Sequence, residues 1–202
     1  KCGDNATCSA KDGKASCVCD KGYKLTQDST GKSVCGAITT VKDKDGNVYQ
    51  TVSIGNQVWM KENLKTTHYN NGDAIETGLK GSDWVDPNQK PAYSVYDDKA
   101  SNAAIYGNLY NWFAVDDPRG ICPAGFHVPS RGEFETLRVY LGVKVAAAKM
   151  MECTEGSCPA SAYWDSSNTV ATNSSGFSGL PAGYRFGWAN GEYGNMGNFA
   201  FY

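Results

Sequence analysis

Apolar and polar residues alternate across Val48–Ile54 and again across residues 57–61, with Gly55-Asn56 between the two runs. A period of two broken by a two-residue glycine turn predicts a β-hairpin. Ahead of it, Asp45-Gly46 is a tight-turn signal, and residues 36–44 read as a short polar, β-branched linker entering a first strand. The period changes after residue 104. Tyr106, Leu109, Tyr110, Phe113 and Ala114 fall at i, i+3, i+4, i+7 and i+8, one helical face, which predicts a helix over residues 105–114 lying on the sheet. A second helix opens on the capping box Ser130-Arg131-Gly132-Glu133, buries a stripe of Phe134, Leu137 and Leu141, and stops at Gly142. Turn residues fill 71–73 and 86–88, residues 91–96 suggest another short strand, and from Gly156 onward glycine, asparagine and aromatics predict long loops with short strands. The fold class is α+β.

The first 35 residues follow different rules. They hold five of the eight cysteines, at Cys2, Cys8, Cys17, Cys19 and Cys35. So short a segment buries too little apolar surface to fold without covalent closure, and disulfides persist in oxidising compartments. An extracellular location, secreted or at the cell surface, is therefore expected. Cys17-Val18-Cys19-Asp20-Lys21-Gly22-Tyr23, with Cys2-Gly3-Asp4-Asn5-Ala6-Thr7-Cys8 before it, resembles an EGF-like module entered at its second cysteine, over residues 1–36. The resemblance implies the pairs Cys2 with Cys17 and Cys19 with Cys35, leaves Cys8 without its first-cysteine partner, and implies that the chain begins inside a domain. Calcium-binding members carry Asp or Asn, then an aromatic, where this chain has Ala10 and Ala15, so the module is expected to be a stiff spacer without calcium.

The chain has 202 residues, enough for one small module and one ordinary domain. A formal charge of -2 gives no electrostatic footprint for nucleic acid or an anionic membrane surface. No apolar run approaches the ~20 residues of a membrane span, and no leader opens the chain. A processed or excerpted chain is expected, with any anchor outside it. The abundance of glycine, tyrosine and tryptophan suits loop-rich extracellular folds and also carbohydrate-binding surfaces.

Five motifs then occur in order. They are Asp45-Gly46-Asn47-Val48-Tyr49, the run from Ile54 through Trp59 to Leu64, the run from Tyr106 through Trp112 to Val115, Cys122 through Ser130, and Gly176 through Arg185. They resemble the Fibrobacter succinogenes major paralogous domain, a module repeated across bacterial surface and secreted proteins. The second domain is accordingly expected over residues 37–202. The helix with its capping box and the Gly-Leu-Pro-Ala-Gly-Tyr-Arg strand also look distantly like the C-type-lectin-like fold. The expected architecture is thus an EGF-like module followed by a loop-rich C-type-lectin-like domain with two helices and short antiparallel strands. Since relatives continue to a final cysteine, the resemblance implies missing terminal strands and a Cys122 left over. Trp59 and Trp112, inside the motifs, are assigned to the core.

Little here suggests catalysis. Two histidines, His68 and His127, offer few nucleophile architectures, and His127 reads as a structural residue satisfied by backbone. The pairs Asp97-Asp98, Asp116-Asp117 and Glu133-Glu135 suit turns and caps better than paired acid and base. Cys153 and Cys158, separated by four residues, suit a local disulfide rather than zinc. Asp165, Asn168 and Asn173, beside Trp164, are a candidate calcium cluster of oxygen donors, against the alternative that they are turn formers. Trp84, Trp164, Trp188 and Tyr193 lie in glycine- and asparagine-rich loops off any periodic face, and are the candidate ligand-binding residues. The expectation is a non-enzymatic bacterial adhesion or recognition module whose partner is a glycan or cell-surface protein. The alternative is a fibre subunit that packs against copies of itself.

Overall fold

The computed structural model describes residues 5–11, 14–20, 22–27, 33–85, 90–151, 163–165 and 171–200. Two hairpins open the chain: β1 (Ala6–Lys11) pairs with β2 (Lys14–Cys19), and β3 (Tyr23–Gln27) with β4 (Ser33–Ala37), both antiparallel. The Cys19–Cys35 disulfide ties the end of β2 to the middle of β4, as expected. Cys2, Cys153, Cys158 and the side chain of Cys17 lie outside the described residues, as do the turn at 86–88 and Asn168.

A three-stranded antiparallel sheet follows, β5 (Thr40–Lys42), β6 (Val48–Ile54) and β7 (Gln57–Met60), in that spatial order. Gly55, at φ +61, supplies the left-handed residue its turn requires. The Asp45-Gly46 turn is organised by the carboxylate before it. Asp43 Oδ1 accepts from the backbone of Asp45 and Asn47, and its Oδ2 accepts from the hydroxyl of the fully buried Tyr49 at 2.5 Å. Burial, and then that hydrogen bond, push the Tyr49 phenol far above its ordinary range.

The remaining elements are short: α1 (Gly81–Trp84), β8 (Tyr93–Ser94), α2 (Ala100–Tyr106), β9 (Leu109–Tyr110), α3 (Trp112–Val115), α4 (Arg131–Leu141), α5 (Ala146–Met150), β10 (Tyr184–Arg185) and β11 (Tyr193–Gly194). The expected helix over residues 105–114 does not form as one element. Gly107 breaks it at φ +71, where a Cβ would sit 2.7 Å from the Leu64 carbonyl oxygen. Asn63 Nδ2 donates to the Tyr106 carbonyl at 2.9 Å, and the Asn108 backbone to that of Leu64 at 2.9 Å. Two of the sequence motifs thus meet at this glycine. Leu109 and Tyr110 pair as a strand with β8, and Asn111 caps a single helical turn. Only Ala114 of α3 is buried, so Trp112, assigned to the core from the sequence, is 67 % exposed.

Helix α4 matches its prediction, with both halves of the capping box formed and Leu137 and Leu141 buried. Its stripe meets Ile54, Ala146, Met150 and Phe177, with Trp59 and Phe134 packed against them. A second core gathers Tyr69, Ile75, Ala114 and Ile121, flanked by Leu64, Tyr110, Val115 and Cys122. Among the described residues no helix is long and apolar enough to cross a membrane.

Candidate functional site

The loops around β10 and β11 close on Arg185. Its guanidinium lies 4.4 Å from the Trp84 ring centroid and 5.0 Å from that of Tyr193. Nε donates to the Gly191 carbonyl and Nη2 to that of Leu79, each at 2.8 Å. The loops pass so closely that a Cβ on Gly81 would fall 1.5 Å from the Asn190 carbonyl oxygen. In this setting Trp84 is 4 % exposed. Tyr193 is half-buried, donates to Asp98 at 2.7 Å, and has its phenol pushed up to about 12 by burial and then by that bond. Trp164 is also half-buried, its indole nitrogen donating to the Gly179 carbonyl at 3.1 Å. Trp188 alone of the four candidates presents its ring, 68 % exposed and 5.1 Å from Phe186.

Of the calcium candidates, Asn173 and Asp165 are described. Asn173 sits at φ 45, its Oδ1 accepting from the Ser178 backbone at 2.9 Å and its Nδ2 donating to the Ser178 hydroxyl at 3.0 Å. Both ends of its amide are thereby engaged. Asp165 is exposed and its backbone nitrogen donates to Gly197.

The exposed Trp112 borders a groove of about 490 Å³ that also carries Asn70, Asp116, His127 and Arg131. His127 is not satisfied by backbone as the sequence suggested; its Nε2 lies 2.9 Å from both carboxylate oxygens of Glu133. Hydrogen bonds from the Ser130 backbone first, then from His127, hold Glu133 down to about 2. Three other carboxylates are engaged structurally. Asp117 forms a two-point pair with Arg119 that lowers it to about 2, Glu135 pairs with Arg138, and Asp45 bonds His68 and Thr67.

A cleft of about 480 Å³ separates the two cores. Trp59 and Phe177 line it from the first, and Leu64, Tyr110 and Ile121 from the second, with Arg185 at its border. Cys122 reaches both cleft and groove as a free, half-buried thiol, and burial pushes it up to about 11. The groove is not legible in the sequence because Trp112 lies inside the motif that runs from Tyr106 to Val115 and is assigned to the core on that ground. The signal that opposes that reading is Gly107, five residues earlier.

The Fibrobacter succinogenes major domain family matches the chain over residues 52–202. No curated protein and no solved structure matches it.

Proposed function

Since the chain belongs to the Fibrobacter succinogenes major domain family, we propose that it is an extracellular, non-enzymatic recognition module of a bacterial surface, and that it binds glycan in the groove beside Trp112. The observation that carries the reading is an indole 67 % exposed at the edge of a groove furnished with Asn70, Asp116, His127 and Arg131. The C–H face of a sugar ring packs on an indole, while its hydroxyls need donors and acceptors of the kind these side chains supply. The Cys19–Cys35 disulfide supports an oxidising location.

Glycan-array screening followed by titration of the best ligand tests this. Trp112→Ala is expected to cost about 2 kcal/mol, a factor of about 30 in affinity, without lowering the melting temperature. Trp188→Ala is the comparison arm. If it abolishes binding while Trp112→Ala does not, recognition belongs to the Phe186–Trp188 face, and if neither matters the glycan reading fails.

One observation favours self-association as a second reading. Val139, Tyr140, Val143 and Val145 are all exposed at the C-terminal end of α4 and just beyond it. Sedimentation velocity across a concentration series distinguishes the two, because a fibre subunit forms growing species that Tyr140→Lys suppresses.

A further inference from the structure

We propose that the cleft between the two cores binds a small molecule carrying a single carboxylate on an apolar body.

Among the described residues, four buried side-chain polar atoms have no hydrogen-bond partner, and the two on nitrogen are Trp59 Nε1 and Arg185 Nη1. Both residues line this one cleft. A buried donor left unpaired is costly, more so when it is charged, so two on residues that line one cavity call for an acceptor there. Arg185 spends Nε and Nη2 on backbone carbonyls, which are neutral, so its hydrogen bonds leave its charge without an anionic partner. Two cleft carboxylates are already committed: Glu62 accepts from the Gln50 backbone at 2.8 Å, and Glu133 holds the α4 cap.

The occupant's chemistry follows from what is missing. A cationic guanidinium donor and a neutral indole donor call for an acceptor that carries a single negative charge, which a carboxylate does. A phosphate dianion would bring more oxygens than these donors serve and a larger desolvation cost. The Leu64, Tyr110, Ile121 and Phe177 walls suit an aliphatic or aromatic body, and about 480 Å³ lies within the ordinary range for small-molecule sites. Water alone fits poorly, since an ordered molecule wants two to four polar partners and these walls are largely apolar.

The experiment uses the ¹⁵N-labelled chain with 4-phenylbutyrate and its uncharged analogue 4-phenylbutyramide. The Trp59 indole N–H resonance is assigned from its loss in Trp59→Phe, a change that keeps an aromatic ring against Phe134 and Phe177. Phenylbutyrate should shift that resonance saturably and bind at least 10-fold more tightly than the amide. Trp59→Phe should weaken the carboxylate several-fold, and Arg185→Gln should remove most of its advantage over the amide. Should Arg185→Gln fail to fold, the Trp59→Phe titration decides alone. Equal binding of the two compounds, an unmoved Trp59 resonance, or an affinity that Trp59→Phe leaves unchanged would overturn the proposal.

Discussion

At the scale of single residues, Cys122 shows how burial sets reactivity. Its thiol is raised by desolvation from 9.0 to about 11, which leaves about 100-fold less thiolate at pH 8, and only the thiolate is nucleophilic. Iodoacetamide should therefore modify Cys122 at pH 8 roughly two orders of magnitude more slowly in the folded protein than in urea, read by mass spectrometry of the Cys122 peptide. Comparable rates would show the thiol to be open to solvent. The sign for stability follows the same shift: the folded state favours the neutral thiol, so the contribution is complete below the unfolded value and is lost as pH rises through about 11. Single residues were also where sequence reading was weakest. Trp84 and Trp112 exchange their expected places, one buried under Arg185 and the other exposed beside a groove. Spacing describes only the local chain, whereas burial depends on which distant segment arrives, here the Arg185 loop over Trp84.

At the scale of elements, the features legible in the sequence are those whose partners lie within a few residues. The α4 capping box is closed by Ser130 and Glu133 and needs nothing from elsewhere. Ser130→Ala should destabilise the protein by about 1 kcal/mol in urea denaturation. The carboxylate gives that cap a pH signature. Glu133 is lowered from 4.5 to about 2, so its contribution is present above 4.5 and fades as pH falls toward 2. The stability difference between the parent and Glu133→Gln should shrink over that window, and a difference constant from pH 6 to pH 2 would remove the carboxylate from the cap. The predicted helix over residues 105–114 failed for the opposite reason. Its apolar spacing was satisfied by a short helix, a strand and a helical turn in succession, because the Asn63-Leu64 backbone packs against Gly107. Gly107→Ala is expected to destabilise by more than the ~1 kcal/mol of an ordinary glycine substitution. It combines a positive φ with contacts of 2.7 and 2.8 Å to Leu64 and Asn63. A neutral effect on the urea midpoint would show that the 63–64 segment yields easily.

At the scale of the whole molecule, the amino-terminal hairpins and the two cores are stabilised by different means. The hairpins are two-stranded sheets, marginal without support, and the Cys19–Cys35 bridge ties them together across 16 residues. Closing a loop of that size contributes about 3 kcal/mol in the chain-entropy account. Among the described residues the cores draw on none before Val52, so their apolar burial does not depend on the bridge. The two parts nevertheless touch. The Ile38 backbone donates to Gly22, that of Thr51 donates to Thr39, and Gly22 lies against Val58 of β7. Replacing both Cys19 and Cys35 with Ser should abolish hydrogen-exchange protection in β3 and β4. Amides shared between β6 and β7 should keep theirs, and those of β5 should lose part, since β5 is the edge strand reached directly from the hairpins. Collapse of protection in β6 and β7 together with the hairpins would mean instead that the chain folds as one cooperative unit through the Gly22–Val58 contact. The family match, which begins at residue 52 inside β6, would then mark only the portion that sequence comparison detects and not a unit that stands alone.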